Sequence, residues 1–408
     1  MKKYFSSYTF WKWKILIVFS IFYTTNYLGR FNFWPMAPLI RDDLSLTHVQ
    51  IGLLNAAILW GFCFGDVVHG SLSEKYGFRK WIFIGAILTT VCNILVSYSS
   101  SFIVFLIPWF VCGFVNAACW APGVGMVSQW WERKQRGFAL GVVSGASGTA
   151  MLVLWLGTGL VGATYGWRVA FRYPPILISV FAVLLLIFTK DFPSEAGFKE
   201  KSYQQSKLFR GFKDKYIALI KSRDFHLVGH IKGLENVVRY GLMTWIPLYY
   251  YDKGGFDISS TLIVTVMLPI GYALAPPIAG FISDKFLLSN RKPLTFISCV
   301  VSALVLFSIC IVDPSQTKIG ASLMLIGGIS LGMSQLPVMA VDFFGKEMAA
   351  TTSALVDAHG YLYAGIQAVV VSLIVGLSDN WIMVFVLMGM IRLISAVILL
   401  FVRSGLRS

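Results

Sequence analysis

Two arginines stand in stretches of sequence that are otherwise apolar. Arg30 lies in "NYLGRFNFWP" and Arg239 in "VVRYGLMTWIPLYY", each about mid-way along an apolar run, about 210 positions apart. An ionised side chain at that depth of a bilayer costs at least ~2.5–3.5 kcal/mol, so it must face a cavity or a partner. A guanidinium is a planar fork of donors, and two of them facing one cavity make a clamp for an oxyanion, phosphate best of all. The alternative is a standing ion pair with a buried acid, for which Asp66 and Glu235 are the candidates. Asn26 and Tyr27 precede Arg30 by one helical turn, placed to orient it or to touch a ligand, and Glu235 and Asn236 stand in the same relation to Arg239.

Further polar groups interrupt other apolar runs. Asp66 and His69 share one helix face, where a pair can carry a proton. In "ALVDAHGYLYAG", Asp357, His359, Tyr361 and Tyr363 fall in one span and are expensive unless they line a cavity. Spacing leaves Asp66, Glu235 and Asp357 as equal candidates for a coupling proton or for a charge pair. Trp120, Trp130, Trp131 and Trp245 suit stacking on a ligand or anchoring at a membrane interface. The "HLVGH" at His226 sets two imidazoles one turn apart, but no third ligand accompanies them, so no metal site is expected. With no nucleophile beside a base and no Gly-rich phosphate loop after a strand, neither an enzyme nor a cofactor is expected.

These groups must be held by helices in a membrane. The chain has 408 residues, 57% hydrophobic and 13% charged, against about 25% charged in soluble domains. Apolar runs long enough to cross a ~30 Å hydrocarbon core begin near Ile15, Ile51, Trp81, Phe102, Gly137, Pro174, His226, Ile258, Pro293, Ile319, Thr351 and Trp381. The net charge of +15 is not spread evenly: roughly 25 Lys and Arg fall in the termini and even-numbered loops, about five in the odd-numbered ones. That bias places both termini in the cytoplasm and removes any need for a nucleic-acid partner. The six cysteines all fall inside expected spans and read as free packing thiols. "MKKYFSSYTFWKWK" leads into the first span without a small-residue cleavage site, so it reads as an uncleaved first helix. "GFCFG" at Gly61 and "GVVSG" at Gly141 match the small-xxx-small pattern of close helix contacts.

A basic interval from about Lys190 to Arg223 divides the spans six and six. Each half carries a short charged turn after its second span: "GSLSEKYGFRK", with Gly70, Glu74, Lys75, Gly77 and Arg79, and "GFISDKFLLSNRK", with Gly280, Asp284, Lys285 and Arg291. The turns share the offset of the two arginines, which implies a tandem duplication and, in a membrane protein, alternating access. The expected architecture is an all-α membrane protein of twelve transmembrane helices. Two six-helix halves, 1–190 and 226–408, flank a cytoplasmic basic linker at 191–225.

The turn pattern resembles the loop signature of the major facilitator superfamily, closely in the first half and partially in the second. "NVVRYGLMTWIPLYY", "CWAPGVGMVSQWWERKQRG" and "GYLYAG" further resemble the seventh, fourth and eleventh helices of the organophosphate:phosphate antiporters, along the whole chain. That resemblance implies two facing cavity helices with Arg30 and Arg239 as the phosphate-binding pair and Tyr361 as a pocket tyrosine. It also exposes departures: Ser147 stands where the family usually has a histidine, Asp66 where it has a lysine, and Gln335 where it has a tyrosine. The reading implied is a monomeric inner-membrane exchanger of organophosphate and phosphate. A proton-coupled symporter of a carboxylate or sugar acid, and a transporter-like sensor of a phosphorylated sugar, are the alternatives. Its partners are a small anion, protons and the lipid bilayer.

Overall fold

The computed structural model describes residues 2–198, 212–254, 264–345, 348–378 and 380–403. The described residues form long α-helices joined by short turns. The first run is Lys2–Asn26, a tight turn at Tyr27–Gly29, then Phe33–Asp43. His48–Tyr76, Phe78–Val96, Phe102–Asn116 with Ala121–Trp130, Arg133–Tyr165, and Trp167–Arg172 with Ile176–Phe188 follow. Part of the expected linker, 199–211, lies outside the described residues. Beyond it come Phe212–Ile220, Arg223–Gly254, Met267–Phe286, Lys292–Ile311, Thr317–Gly332 with Leu336–Phe344, Ala349–Ser378 and Trp381–Leu400. Most helices begin a few residues before the apolar run does, because polar residues such as Arg133 and Arg223 extend the helix beyond its oily stretch. The expected start at Ile258 lies outside the described residues.

Among the described residues, eight runs are long and apolar enough to cross a membrane. Lys2–Asn26, Arg133–Tyr165, Arg223–Gly254 and Met267–Phe286 are not among them, and these helices carry most of the polar positions described below. Two runs break in the middle where a proline opens the second piece, Pro122 in Ala121–Trp130 and Pro337 in Leu336–Phe344. Proline lacks the N–H that the first helical turn leaves unused anyway.

Two helix pairs carry the seam between the N-terminal and C-terminal helices: His48–Tyr76 against Ala349–Ser378, and Arg133–Tyr165 against Met267–Phe286. Glycine permits the approach. A Cβ at Gly141 or Gly145 would overlap the carbonyl oxygens of Pro276 and Ala273, and one at Gly61 or Gly65 those of Phe110 and Phe114. Both small-residue repeats thus act as contact points, as their spacing implies.

The two charged turns lie at one end of the bundle, the turn end, and there the seam is closed. Glu74 accepts from the Thr351 backbone N–H and hydroxyl, both at 2.9 Å, so this acid reaches across the seam. Gly70 packs on Ala350 and Ala354. Gly77 turns the chain at φ 98°, a left-handed value that favours glycine. Arg79 donates to the Leu186 and Thr189 carbonyls and pairs with Asp191 and Glu195, while Lys75 lies over the Tyr76 ring. In the second turn Asp284 pairs with Arg291 and accepts from the Phe138 N–H at 2.9 Å. Arg291 and Arg136 share Asp342, at 3.1 and 3.2 Å. Gly280 abuts Gly137, and Lys285 lies over Phe281 and Phe286.

Candidate functional site

Between the two sets of helices is a small cavity of about 40 Å³, room for a few waters in this closed arrangement. Arg30 reaches it from the turn after Lys2–Asn26, and Arg239 from Arg223–Gly254. The Arg30 guanidinium donates to the Tyr23 hydroxyl at 2.9 Å and to the Tyr361 hydroxyl, and sits 4.3 Å over the Phe62 ring. Arg239 lies 4.3 Å over Tyr272. Tyr27, Tyr240 and Tyr361 are electrostatic neighbours of both arginines, so the two guanidiniums look into one aromatic box. Among the described residues neither arginine has a carboxylate partner, and both Nε atoms are buried without a hydrogen bond. A buried donor left empty costs about 1–3 kcal/mol or more when charged. Such a cost persists where a ligand will meet it.

Toward the turn end lies a second polar group. Lys232 Nζ, two turns before Arg239 on the same face, is 3.3 Å from Glu235 and 3.7 Å from Asp357. Glu235 faces Arg392 at 3.7 Å, and Arg392 also donates to Ser302 and Ser298. Asp357 accepts from the Trp120 indole at 2.7 Å, a bond that crosses the seam. On the far side of the arginines, Phe31 and Trp34 stack 4.4 Å apart, and both rings reach Tyr240 at about 6 Å. The space is therefore bounded by an aromatic cover at one end and a charged floor at the other.

Of the expected site residues, Arg30, Arg239, Tyr27, Tyr361, Ser147, Trp120 and Asp357 line this space. Ser147 Oγ also donates to the Ser144 carbonyl at 2.5 Å. Asn26 is turned to Asn116 in a reciprocal pair of amide bonds, which ties helices together within the N-terminal set. Gln335 sits in the break before Leu336–Phe344, its N–H donating to Thr295, and Pro337 lines the space instead. His359 faces away, its Nδ1 against the Leu355 carbonyl and its ring beside His230. Glu235 is turned from Arg239 to Lys232 and Arg392, so it does not serve as the standing partner of that arginine. Asp66 is buried with Oδ2 unpartnered among the described residues. His69 is turned from it and accepts from the Trp81 indole at 3.1 Å.

Sequence reasoning missed Tyr23, Lys232, Tyr240, Tyr272 and Arg392. A signal for two of them was present: Tyr23 stands seven residues before Arg30 and Lys232 seven before Arg239, which is two turns along one face. Arg392 carried the signal of Arg30 and Arg239, a lone charge in the apolar run "WIMVFVLMGMIRLISAVILL".

Comparison with known proteins agrees with this architecture. The chain is 25% identical to the hexuronate transporter of Bacillus subtilis (strain 168), over 69% of this chain and 68% of that one. It is also 25% identical to the glycerol-3-phosphate transporter of the same organism, over 86% and 82%. The proton:xylose symporter XylE superposes with a TM-score of 0.80 at 14% identity, covering 97% and 96% of the two chains, a likeness of fold. The family model described as Major Facilitator Superfamily matches residues 19–368, and the chain belongs to that superfamily.

Proposed function

We propose that this chain is a secondary carrier of a small organic anion, exchanging an organophosphate for phosphate by alternating access. The observation that carries the reading is the pair of buried guanidiniums without an acid partner, turned into one space at the seam. A phosphoryl or carboxylate group between them would take up the empty donors of both sets of helices at once, and so draw the sets together. The helical runs support twelve spans in two units, 1–190 and 226–408, joined by 191–225. The Lys and Arg bias supports an inner-membrane topology with both termini, and therefore the turn end, in the cytoplasm. On that topology the closed turn end corresponds to a carrier shut toward the cytoplasm. An empty site holding two unmatched arginines is costly to close, which favours exchange over uniport.

A second reading, proton-coupled symport of a carboxylate such as a sugar acid, is favoured by Asp66, a buried carboxyl group with an unpartnered oxygen. Proteoliposomes loaded with phosphate separate the two. Labelled phosphate or labelled glucuronate is added outside, with and without a protonophore. Phosphate uptake that needs internal phosphate and survives the protonophore supports exchange. Glucuronate uptake that collapses with it supports symport. Absence of uptake of either anion by folded protein would refute both readings and direct attention to a sensor.

A further inference from the structure

The two imidazoles that "HLVGH" sets one turn apart meet a third in the fold. His226 and His230 flank Gly229 on Arg223–Gly254, and His359 of Ala349–Ser378 packs on that glycine, its ring 3.0 Å from where a Cβ would stand. Gly233 receives the Tyr363 ring in the same way, at 2.8 Å. The His230 and His359 rings meet edge to face at 5.6 Å. One nitrogen of each ring is committed. His226 Nε2 donates to the Ile220 carbonyl at 2.6 Å, His359 Nδ1 donates to the Leu355 carbonyl at 2.8 Å, and His230 Nδ1 is 3.0 Å from the Tyr363 hydroxyl. The second nitrogen of His226 and of His359 has no partner among the described residues and reaches the surface, where His230 is exposed.

These groups face outward, away from the cavity of the arginines. Among the described residues between Asp224 and Lys253, His230 is the one exposed position of its helix. The outer surface turns apolar at this level: Leu362, Ile366 and Val370 are exposed on Ala349–Ser378, and Phe64 and Val67 on His48–Tyr76. Beside the cluster the short helix Phe212–Ile220 exposes Ile217 and Ile220, as a helix lying on a bilayer surface does. The cluster thus stands where hydrocarbon gives way to headgroups. Arg223, also exposed, begins the same helix face one turn before His226.

Acids nearby are engaged elsewhere. Asp224 is taken by Arg403, and Glu74 by Thr351. Asp214 stands in the first turn of the short helix, at the end away from His226, and Tyr216 is turned to Ser71. The titratable neighbours of His359 are His230 and His226, with no carboxylate. The rings are not placed to hold a metal ion. A basic strip of N–H donors at headgroup depth fits a phosphate diester.

We propose that the groove between these two helices binds the headgroup phosphate of an anionic phospholipid of the cytoplasmic leaflet. Arg223 supplies the standing charge. The three imidazoles donate from their second nitrogens once these carry protons, so binding takes up protons and strengthens as pH falls. The leaflet rests on the topology proposed above; the anion-carrier reading is not required. A lipid here ties the helix that bears Arg239 to the helix that bears Tyr361, on their outer side.

Transport plays no part in the test. Full-length protein in a neutral detergent is titrated with phosphatidylglycerol or phosphatidylcholine, and retained lipid is counted by native mass spectrometry at pH 6 and 8. Phosphatidylglycerol should be held the tighter, since the choline cation opposes Arg223, and more tightly at pH 6. His230→Gln with His359→Gln should weaken it about tenfold or more at pH 6, the loss of a charge-assisted bond, and flatten most of the pH dependence. Arg223→Gln should weaken it at both pH values. Lys134→Gln, an exposed charge at the same end of the N-terminal helices, should change nothing, with unfolding temperature as the control for folding. Equal retention of the two lipids, tighter binding at pH 8, or unchanged binding in the double histidine variant overturns the proposal. So does displacement of the lipid by millimolar inorganic phosphate at constant ionic strength, which would make the groove a site for free phosphate.

Discussion

Replacing Arg30 by lysine keeps the charge and removes the fork. Arginine has five N–H donors and lysine three. Two of the Arg30 donors are taken by the Tyr23 and Tyr361 hydroxyls, leaving three for a ligand, the buried Nε–H among them. A lysine that kept both tyrosines would have one left, so the substitution removes two charge-assisted bonds to the anion. At about 1.5–3 kcal/mol each, the loss is about 3–6 kcal/mol, or roughly 10²–10⁴-fold in exchange rate at low substrate. The assay is the initial rate of labelled phosphate entry into phosphate-loaded proteoliposomes, at matched protein density and with unfolding temperature as a control. The double change Arg30→Lys with Tyr361→Phe should recover part of the loss, since one competing hydroxyl is gone. Exchange by Arg30→Lys within about threefold of wild type would refute the clamp, because a binding fork cannot be so nearly dispensable.

Trp120→Phe keeps the ring beside Tyr23, 4.8 Å away, but removes the indole bond to Asp357. About 1.5–3 kcal/mol of cross-seam attachment should be lost, read as an order-of-magnitude fall in the shut population by spin-label distances. Gly280→Val places a side chain on the Gly137 carbonyl, and overpacking of about 1–3 kcal/mol should open the turn end. A cysteine at Ser147 should then react several-fold faster with a thiol reagent added from that side. Arg392→Leu takes one of the two cations from Glu235, leaving it Lys232 alone, and strips the Ser298 and Ser302 hydroxyls of their donor in a fully buried place. A loss of about 1–3 kcal/mol should appear as a drop in unfolding temperature.

The helices were legible because a bilayer imposes length and apolarity on each span. Arg30 and Arg239 were legible for the same reason, as charges that a membrane tolerates only with a purpose. What was not legible depends on rotation and on register across the seam. Asn26 and Tyr27 are neighbours in sequence, yet one turns to Asn116 and the other to the cavity, since a step of about 100° separates adjacent residues on a helix. His359 and Asp357 differ in the same way. Glu235 shows a further limit: its one-turn spacing from Arg239 suggested a pair, but it is turned to Lys232, one turn before it, and to Arg392, about 150 residues later. Spacing offered the first two cations equally, and only the packing of helices decides between them.

The division of charge among these helices gives the site its character. Lys232 and Arg392 are cations matched by Glu235 and Asp357, within the C-terminal helices, and they can stay matched while the two sets of helices move. Among the described residues Arg30 and Arg239 are unmatched by carboxylates, one in each set, and they meet only when the sets come together. Fixed pairs stabilise a rigid body, whereas unmatched charges split across a moving seam bias the motion itself. An anion that bridges the arginines contributes most where the sets are closest, during passage between states.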